Sequence, residues 1–218
     1  MKYACVLFDL DGTLLDTGVG LMAAIKETIE AFGFPMPDEA TLRTFIGPPV
    51  SGSFRKTFGL DEDATARATA YFRTAYPERH LTEAAEYEGI HELLRALREN
   101  GVKLGVATNK PHSYTLPLMA HFGFDKEFDV IQGSVPGVFE KKDLVVAECL
   151  RQLNVTDKAQ VVLVGDTIHD QKGAEAFGID FLAVDYGYGY RPGDTAEEAK
   201  AIAMCSTCAE VLAALRDR

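Results

Sequence analysis

The sequence predicts an α/β protein with a doubly wound parallel sheet and a small helical insertion, on two observations. From residue 89 onward, apolar strand-like runs alternate with helical patterns, which is typical of a parallel sheet covered by helices on both faces. Residues 16–82 instead contain helical patterns and no strong alternating run. We therefore interpret 16–82 as a helical insertion and residues 1–15 and 83–218 as two parts of one larger domain.

The elements can be placed in order along the chain. The first strand is predicted at 3–9, and apolar residues at helical spacing predict a helix over 19–32 that stops at Gly33. A more polar helix is predicted from 61 to about 80. Beyond the insertion, strands are predicted at 102–108, 128–133, 161–165 and 179–185, helices at 90–100, 113–122, 142–153 and 170–177, and a short strand and helix within 200–216. This alternation predicts a Rossmann-like core.

Composition and charge narrow the class of protein. The 218 residues are 47% hydrophobic and 25% charged, with a formal net charge of -11 and a pI of about 4.9. So acidic a chain is not expected to bind a nucleic-acid polymer or an anionic membrane surface. No apolar stretch approaches the roughly 20 residues of a membrane span, and no signal-peptide pattern is seen. We expect a cytoplasmic protein that is a monomer or a weak homodimer.

Four cysteines are present, and they divide into two kinds. Cys5 lies in the first apolar strand and Cys149 on the apolar side of a helical pattern, so both are interpreted as small core residues. Cys205 and Cys208 form a C-x-x-C pair, which can be a redox pair or half of a zinc site. Since the sequence has no second pair to complete a zinc site, buried reduced thiols are the favoured interpretation.

Polar residues cluster where the predicted strands end. In doubly wound sheets, ligands bind outside the carboxyl ends of the strands. Each group alone could be a turn or a helix cap, but together they predict one site at one edge of the sheet. The groups are Asp9 and Asp11 after the first strand, Thr108, Asn109 and Lys110 after strand 102–108, Lys141 and Lys142 after strand 128–133, and Asp166 and Asp170 after strand 161–165.

The four aspartates of this cluster would repel one another strongly. Such an arrangement requires a cation among the carboxylates or protonation of some of them. Oxygen ligands select a hard divalent ion, and few protein ligands with room for water favour Mg²⁺ over Ca²⁺. A phosphate group could then bridge the metal, Thr108 and Lys141. The sequence therefore predicts a magnesium site at which an anionic phosphate group can also bind.

Four motifs of the chain resemble those of the haloacid dehalogenase superfamily. They are "DLDGT", the threonine Thr108 that closes an apolar strand, a lysine before a helix, and "GDTIHD". The resemblance covers essentially the whole chain, with a helical cap inserted after the first motif, and is strongest to the phosphoglycolate phosphatase-like branch. The segment "RTFIGPPVSGSF" is similar to the specificity loop that those enzymes lay over the substrate. Arg43 and Gly47 of this loop are therefore candidate substrate-binding residues.

The resemblance implies a catalytic role for each residue of the motifs. Asp9 would be the nucleophile that forms an aspartyl phosphate, and Asp11 would protonate the leaving group and later deprotonate water. Thr108, the backbone of Asn109 and Lys141 would bind the substrate and stabilise charge on the transferring oxygens.

The resemblance also implies the metal ligands. Mg²⁺ would be held by Asp9, the Asp11 carbonyl and Asp166, with Asp170 bound directly or through water. The register of the motif lysine is open, since two lysines are adjacent. "KKDLV" favours Lys141 by its spacing to the apolar pair, and Lys142 is the alternative.

Several functions compete at this stage. The leading hypothesis is a phosphatase acting on phosphoglycolate, a nucleoside monophosphate (a 5'-nucleotidase) or a sugar phosphate. A β-phosphoglucomutase-like isomerase would use the same core. A signalling receiver phosphorylated on aspartate is disfavoured, because receivers are shorter and have no cap. The glycine-rich loop 185–194 lacks the lysine-serine/threonine ending of a Walker loop and is interpreted as a flexible wall of the site.

Overall fold

The computed structural model describes residues 1–47 and 49–216 and divides into two compact units. The core unit comprises Met1–Asp16 and Glu86–Arg218, and the inserted unit comprises Thr17–Ala85. The sequence predicts the insertion at 16–82, so the two sets of boundaries differ by one and three residues. Pro48 of the predicted specificity loop and residues 217–218 of the predicted core range lie outside the described residues.

The predicted helices and strands occur in the predicted order, together with two short strands and two helices before residue 87 that the sequence did not predict. Up to residue 99 they are β1 (Cys5–Phe8), β2 (Leu15–Asp16), α1 (Gly18–Ala31), α2 (Glu39–Arg43), α3 (Val50–Phe58), α4 (Glu62–Ala75), a π-helical turn (Tyr76–His80), β3 (Ala85–Glu86) and α5 (Ile90–Glu99). Beyond it they are β4 (Lys103–Pro111), α6 (His112–His121), a 3₁₀ turn (Phe124–Lys126), β5 (Val130–Ser134), α7 (Lys142–Gln152), a 3₁₀ turn (Lys158–Gln160), β6 (Val161–Gly165), α8 (Ile168–Phe177), β7 (Asp180–Val184), β8 (Met204–Cys205) and α9 (Cys208–Arg216).

Six strands form a parallel sheet in the order β5-β4-β1-β6-β7-β8. The chain first adds strands on one side of β1 and then on the other, so the strand order reverses at β1. In the register of the sheet, Phe8 pairs with Val106 of β4 and with Val164 of β6. The carboxyl ends of β4, β1 and β6 therefore lie side by side at the switch point, where ligands bind in such folds. The predicted fold class is confirmed.

Helices cover both faces of this sheet, which explains why all four residues of β1 are buried. Cys5 and Leu7 belong to a core cluster that includes Val145, Val146 and Cys149 of α7. Helix α7 packs on β4 and β5, and α8 packs on β6, β7 and α7. Side chains alternate between the faces of a strand, so Val6 and Phe8 point to the opposite face. There the ring of Phe8 contacts the ring of Phe128 edge to face, with 6.0 Å between the ring centroids. Helix α5 packs against β4 and α9.

The four cysteines are free and buried, as the sequence favours. Burial raises the pKa of the Cys205 thiol to about 12, and burial also raises the pKa of Cys208. Thiolates are the reactive form of cysteine, so burial disfavours the reactive form of both thiols of the C-x-x-C pair. They serve as small core residues.

Among the described residues, no helix is both long enough and apolar enough to cross a membrane.

The inserted unit is built from α1, α3, α4 and the π-helical turn, which contact one another. An aromatic cluster lies between them, with ring contacts that join Phe34, Phe45, Phe54 and Phe58. A polar cluster, which we call the Glu27 cluster, is centred on Glu27 of α1. Its central carboxylate accepts hydrogen bonds from Tyr71 at 2.8 Å and from Arg79 at 2.6 Å, and it pairs with His80 at 2.8 Å.

The Glu27 cluster predicts a pH-dependent stability. Burial lowers the pKa of His80, but the carboxylates of Glu27 and Glu83 outweigh this effect and raise it above its usual value. A histidine with a raised pKa stabilises the fold below its unfolded pKa of about 6.5, and this contribution is lost as the pH rises through the native pKa. Between pH 6 and 8, the free energy of unfolding of the wild type should therefore fall more steeply than that of His80→Gln.

The expected difference between the two slopes is about 1 kcal/mol or less over this range, since the pairs are partly exposed. Urea titrations at pH 6, 7 and 8 measure it. His91, which also lies between two carboxylates, is present in both proteins and cancels in the comparison. Equal slopes in the two proteins would contradict this assignment to His80.

Candidate active site

The first two aspartates are held where β1 ends and the chain turns. The backbone N–H of Asp9 donates to the carbonyl of Val164 at 2.9 Å, which continues the sheet by one more hydrogen bond. The chain then makes a tight turn, in which the N–H of Gly12 donates a hydrogen bond to the carbonyl of Leu15 at 2.8 Å. Gly12 adopts φ +81°, a left-handed conformation that favours glycine. The "DGT" turn thus places Asp9 and Asp11 at the carboxyl edge of the sheet.

Three of the predicted carboxylates converge in the interior. Asp9, Asp166 and Asp170 are all buried, and each offers a carboxylate oxygen within 4.8 Å of the other two. Burial and the charge of Asp170 raise the pKa of Asp9 to about 6, although Lys142 acts in the opposite sense. Burial and the charges of Asp170 and Asp9 raise the pKa of Asp166 well above its usual value. The cluster is therefore electrostatically unfavourable without further cations.

The lysine that lies between these carboxylates is Lys142, the alternative that the sequence left open, and not Lys141, which the sequence favours. Lys142 is buried, and its Nζ lies 2.6 Å from Asp9 Oδ1 and 2.6 Å from Asp170 Oδ1. Lys141 is the exposed residue before α7, with an extended backbone of φ -105° and ψ 150°. Because α7 begins at Lys142, that side chain is directed back toward the helix N-terminus and the sheet edge. Gly173 of α8 makes this fit, since a Cβ there would overlap Cγ of Lys142.

Asp170 has a second role besides its pairing with Lys142. Its Oδ2 accepts hydrogen bonds from the backbone N–H of Thr167 at 3.0 Å and from the Thr167 hydroxyl at 2.7 Å. The Thr167 hydroxyl in turn accepts from the N–H of His169, which completes a capping box at the start of α8. Each carboxylate oxygen has two lone-pair directions, so Asp170 orients Lys142 and still has capacity for another ligand.

A second buried lysine, Lys110, belongs to the site and was given no role by the sequence reasoning. Its Nζ lies 3.0 and 3.2 Å from the two oxygens of Asp11. The register of β4 with β5 is irregular between Ala107 and Pro111, and such irregularities re-aim side chains near active sites. The position of Lys110 two residues after Thr108 was a visible signal. What could not be predicted was that the irregular strand end turns Lys110 inward.

The remaining predicted site residues are placed less centrally. Thr108 is buried within β4, and its hydroxyl oxygen accepts a hydrogen bond from the N–H of Lys110 at 3.2 Å. Asn109 is exposed, and its carbonyl accepts from Ser134. Arg43 and Gly47 are exposed residues of the inserted unit, so their contacts with a substrate stay predictions.

The charges of the site show whether a divalent metal fits. Asp9, Asp11, Asp166 and Asp170 carry four negative charges when ionised, and Lys110 and Lys142 carry two positive charges. The net charge of these six side chains is therefore two negative charges, and the site has three convergent, buried oxygen donors. A single hard divalent cation would neutralise this net charge, and such cations prefer oxygen ligands. Asp9, Asp166 and Asp170 thus fit Mg²⁺, while the predicted contribution of the Asp11 carbonyl stays a prediction.

Comparison with known proteins identifies the family. Residues 6–184 match the family model described as "Haloacid dehalogenase-like hydrolase". The chain belongs to this family. Among solved structures, a haloacid dehalogenase-like hydrolase from Streptococcus pneumoniae, SP0104, superimposes with a TM-score of 0.89 at 30% identity, covering 99% of both chains.

Curated relatives of this hydrolase carry several names. A 5'-nucleotidase from Pseudomonas aeruginosa is 35% identical over 99% of this chain and 95% of its own length. Phosphoglycolate phosphatase 1 of the same organism is 32% identical over 91% of this chain and 75% of its own length. Tyrosine-protein kinase PtkA of Mycobacterium tuberculosis is 38% identical over 185 residues. The matched region is 84% of this chain and 62% of the length of that protein. The hydrolase falls in the phosphoglycolate phosphatase-like branch and is a phosphoric monoester hydrolase.

The two adjacent lysines provide a test of the site. Lys142→Ala removes the cation shared by two buried carboxylates and should lower the rate of aryl phosphate hydrolysis by about 10²–10³-fold. It should also lower the free energy of unfolding by about 3 kcal/mol, because a buried carboxylate loses its cationic partner. Lys141→Ala, the matched control, should stay within about twofold of the wild-type rate. The reverse order of the two variants would contradict the placement of Lys142.

Proposed function

We propose that the protein is a Mg²⁺-dependent phosphatase that hydrolyses a small phosphorylated metabolite through an aspartyl phosphate on Asp9. The observation that carries this proposal is the position of Lys142, buried between Asp9 and Asp170. An ammonium group beside the nucleophile can neutralise charge both on the carboxylate and on an incoming phosphoryl oxygen. A cation shared by two buried carboxylates has no comparable advantage as a purely structural element.

Asp9, Asp166 and Asp170 would hold the metal. When bound, Mg²⁺ neutralises carboxylate and phosphoryl charge and orients the phosphoryl group for attack. Asp166 and Asp170 would contribute negative charge to the metal site, and hydrogen bonds from neighbouring residues fix their side chains. Oδ1 of Asp166 accepts from the hydroxyl of Thr13 at 3.4 Å, and Asp170 is fixed by its capping box.

In the first step, a carboxylate oxygen of Asp9 attacks the phosphorus, and the bond from phosphorus to the ester oxygen breaks. The leaving oxygen takes a proton from Asp11. Thr108 lies in the neighbouring strand β4, and its hydroxyl would donate a hydrogen bond to a phosphoryl oxygen. Lys142 would stay close to the transferring group throughout, since its stem is enclosed by the packing of α7 against α8.

In the second step, Asp11 takes a proton from a water molecule, and the water oxygen attacks the phosphorus of the aspartyl phosphate. The bond from phosphorus to Asp9 breaks, which releases inorganic phosphate and regenerates both carboxyl groups. Lys110 orients Asp11 for this task through contacts with both of its oxygens. Lys110 is thus a positioning residue for the general acid and base.

The substrate class is proposed from the site and from the relatives. The proposed chemistry transfers a phosphoryl group, and the relatives' names include a 5'-nucleotidase and phosphoglycolate phosphatases. We therefore propose phosphoglycolate or a nucleoside monophosphate as substrate. We also propose that the enzyme works in the cytoplasm as a monomer or weak homodimer, without nucleic-acid polymers or membranes, which its net charge of -11 supports.

The nucleophile is tested by a conservative substitution. Asp9→Asn keeps the shape of the side chain but removes the attacking carboxylate, so hydrolysis of an aryl phosphate should fall by about 10³-fold or more. Asp157→Asn, which changes an exposed aspartate, is the matched control and should keep wild-type activity. Circular dichroism should show both variants folded. Wild-type turnover by Asp9→Asn would remove Asp9 as the nucleophile.

Metal dependence and substrate class are tested together. Removal of divalent ions with a chelator should abolish phosphate release, and added Mg²⁺ should restore it. Phosphate release from phosphoglycolate and from a panel of nucleoside monophosphates then ranks the substrates by kcat/KM. Isomerisation of a β-glucose phosphate without phosphate release would instead identify a mutase, and full activity in chelator would contradict the metal requirement.

A further inference from the structure

The glycine-rich loop after β7 contacts the site through its backbone. The N–H of Tyr188 donates to Oδ2 of Asp166 at 2.7 Å, and the N–H of Tyr190 donates to the Asp166 carbonyl at 2.9 Å. One loop thus holds both the side chain and the backbone of Asp166. The sequence interpretation of this loop as a flexible wall does not describe these contacts.

Two glycines allow the loop to approach this closely. A Cβ at Gly187 would overlap Oδ2 of Asp166 and the carbonyl of Gly12. A Cβ at Gly189 would lie 2.5 Å from the Asp166 carbonyl. Neither glycine has the positive φ at which side chains are strained, so close approach is what requires glycine at these positions.

The side chain of Tyr188 anchors the loop on a different segment. Its hydroxyl donates to Oδ1 of Asp16 at 2.7 Å, and Asp16 is the second residue of β2. The neighbouring Tyr186 donates its hydroxyl to the carbonyl of Thr13 at 3.2 Å. The hydroxyl of Thr13 in turn donates to Asp166. The segment after β1, the loop and Asp166 therefore form one connected hydrogen-bond network.

We propose that Tyr188 is a positioning residue for the metal ligand Asp166. Its phenol, anchored on Asp16, fixes the loop so that its backbone N–H orients the Asp166 carboxylate toward Asp9 and Asp170. The proposal rests on the proposed function, because it takes Asp166 to be a metal ligand. Partners that orient a metal ligand are worth about 10–100-fold in metal affinity in other proteins.

The test compares two tyrosines that each donate to a carboxylate. Tyr188→Phe removes the 2.7 Å hydrogen bond to Asp16 together with the hydrogen bond to the Tyr87 side chain, and Tyr71→Phe removes the 2.8 Å hydrogen bond to Glu27 in the inserted unit. Mg²⁺ affinity is measured by calorimetry on the whole protein without substrate. Tyr188→Phe should bind Mg²⁺ about tenfold more weakly than the wild type, and Tyr71→Phe should bind it with unchanged affinity.

Steady-state kinetics separate positioning from general damage. If Tyr188 acts through Asp166, Tyr188→Phe should need about tenfold more Mg²⁺ for half-maximal activity. Its kcat and its KM for the phosphate ester should return to within about twofold of wild type at saturating Mg²⁺. A loss of kcat that Mg²⁺ does not restore would overturn the positioning role.

Gly187→Ala provides a second test of the same contact, because the added methyl group displaces Asp166 Oδ2 directly. It should weaken Mg²⁺ binding more than Tyr188→Phe does. Wild-type Mg²⁺ affinity in Tyr188→Phe overturns the proposal, whether or not Gly187→Ala folds. Absence of Mg²⁺ uptake by the wild type would overturn the proposed function and this inference with it, whereas uptake that no variant changes overturns this inference alone.

Discussion

The structure of the site depends on one constraint, the mutual repulsion of carboxylates in a buried space. Asp9, Asp166 and Asp170 are each less than a tenth exposed and have oxygens within 4.8 Å of one another. Lys142 relieves part of this repulsion and Lys110 offsets the charge of Asp11, but two negative charges are left. The proposed divalent cation would neutralise these charges, and with the cation bound an acidic protein would attract an anionic phosphate ester, as the proposed function requires.

The sheet topology explains how so many charges are brought together. Strand β1 is central, and its neighbours β4 and β6 arrive by crossovers that run in opposite directions along the sheet. Their carboxyl ends therefore meet, and each contributes short polar segments rather than one long loop. The strands that lead to the site are packed between apolar side chains on both faces of the sheet. This packing fixes the strand ends from which the charged groups project.

Much of this arrangement was predictable from the sequence, because strand ends are marked by where apolar runs stop. Asp9, Asp166 and Asp170 converge as predicted. Lys141 was preferred over Lys142 because of its spacing to the apolar pair in "KKDLV", and this spacing does not reveal which of two adjacent side chains is directed toward the site. The roles of Lys110 and Tyr188 were missed for related reasons, since an irregular strand end and backbone hydrogen bonds from a glycine-rich loop leave no side-chain pattern.

The most direct test of the charge balance is thermal melting of the wild type and Asp166→Asn, each with and without Mg²⁺. Without Mg²⁺, Asp166→Asn should melt at the same or a higher temperature, because one of the repelling charges is gone. At about 100 times its dissociation constant, Mg²⁺ should stabilise the wild type by about 2.7 kcal/mol, which corresponds to roughly 5 °C or more, and reverse the order. A wild-type melting temperature that Mg²⁺ leaves unchanged would contradict the account.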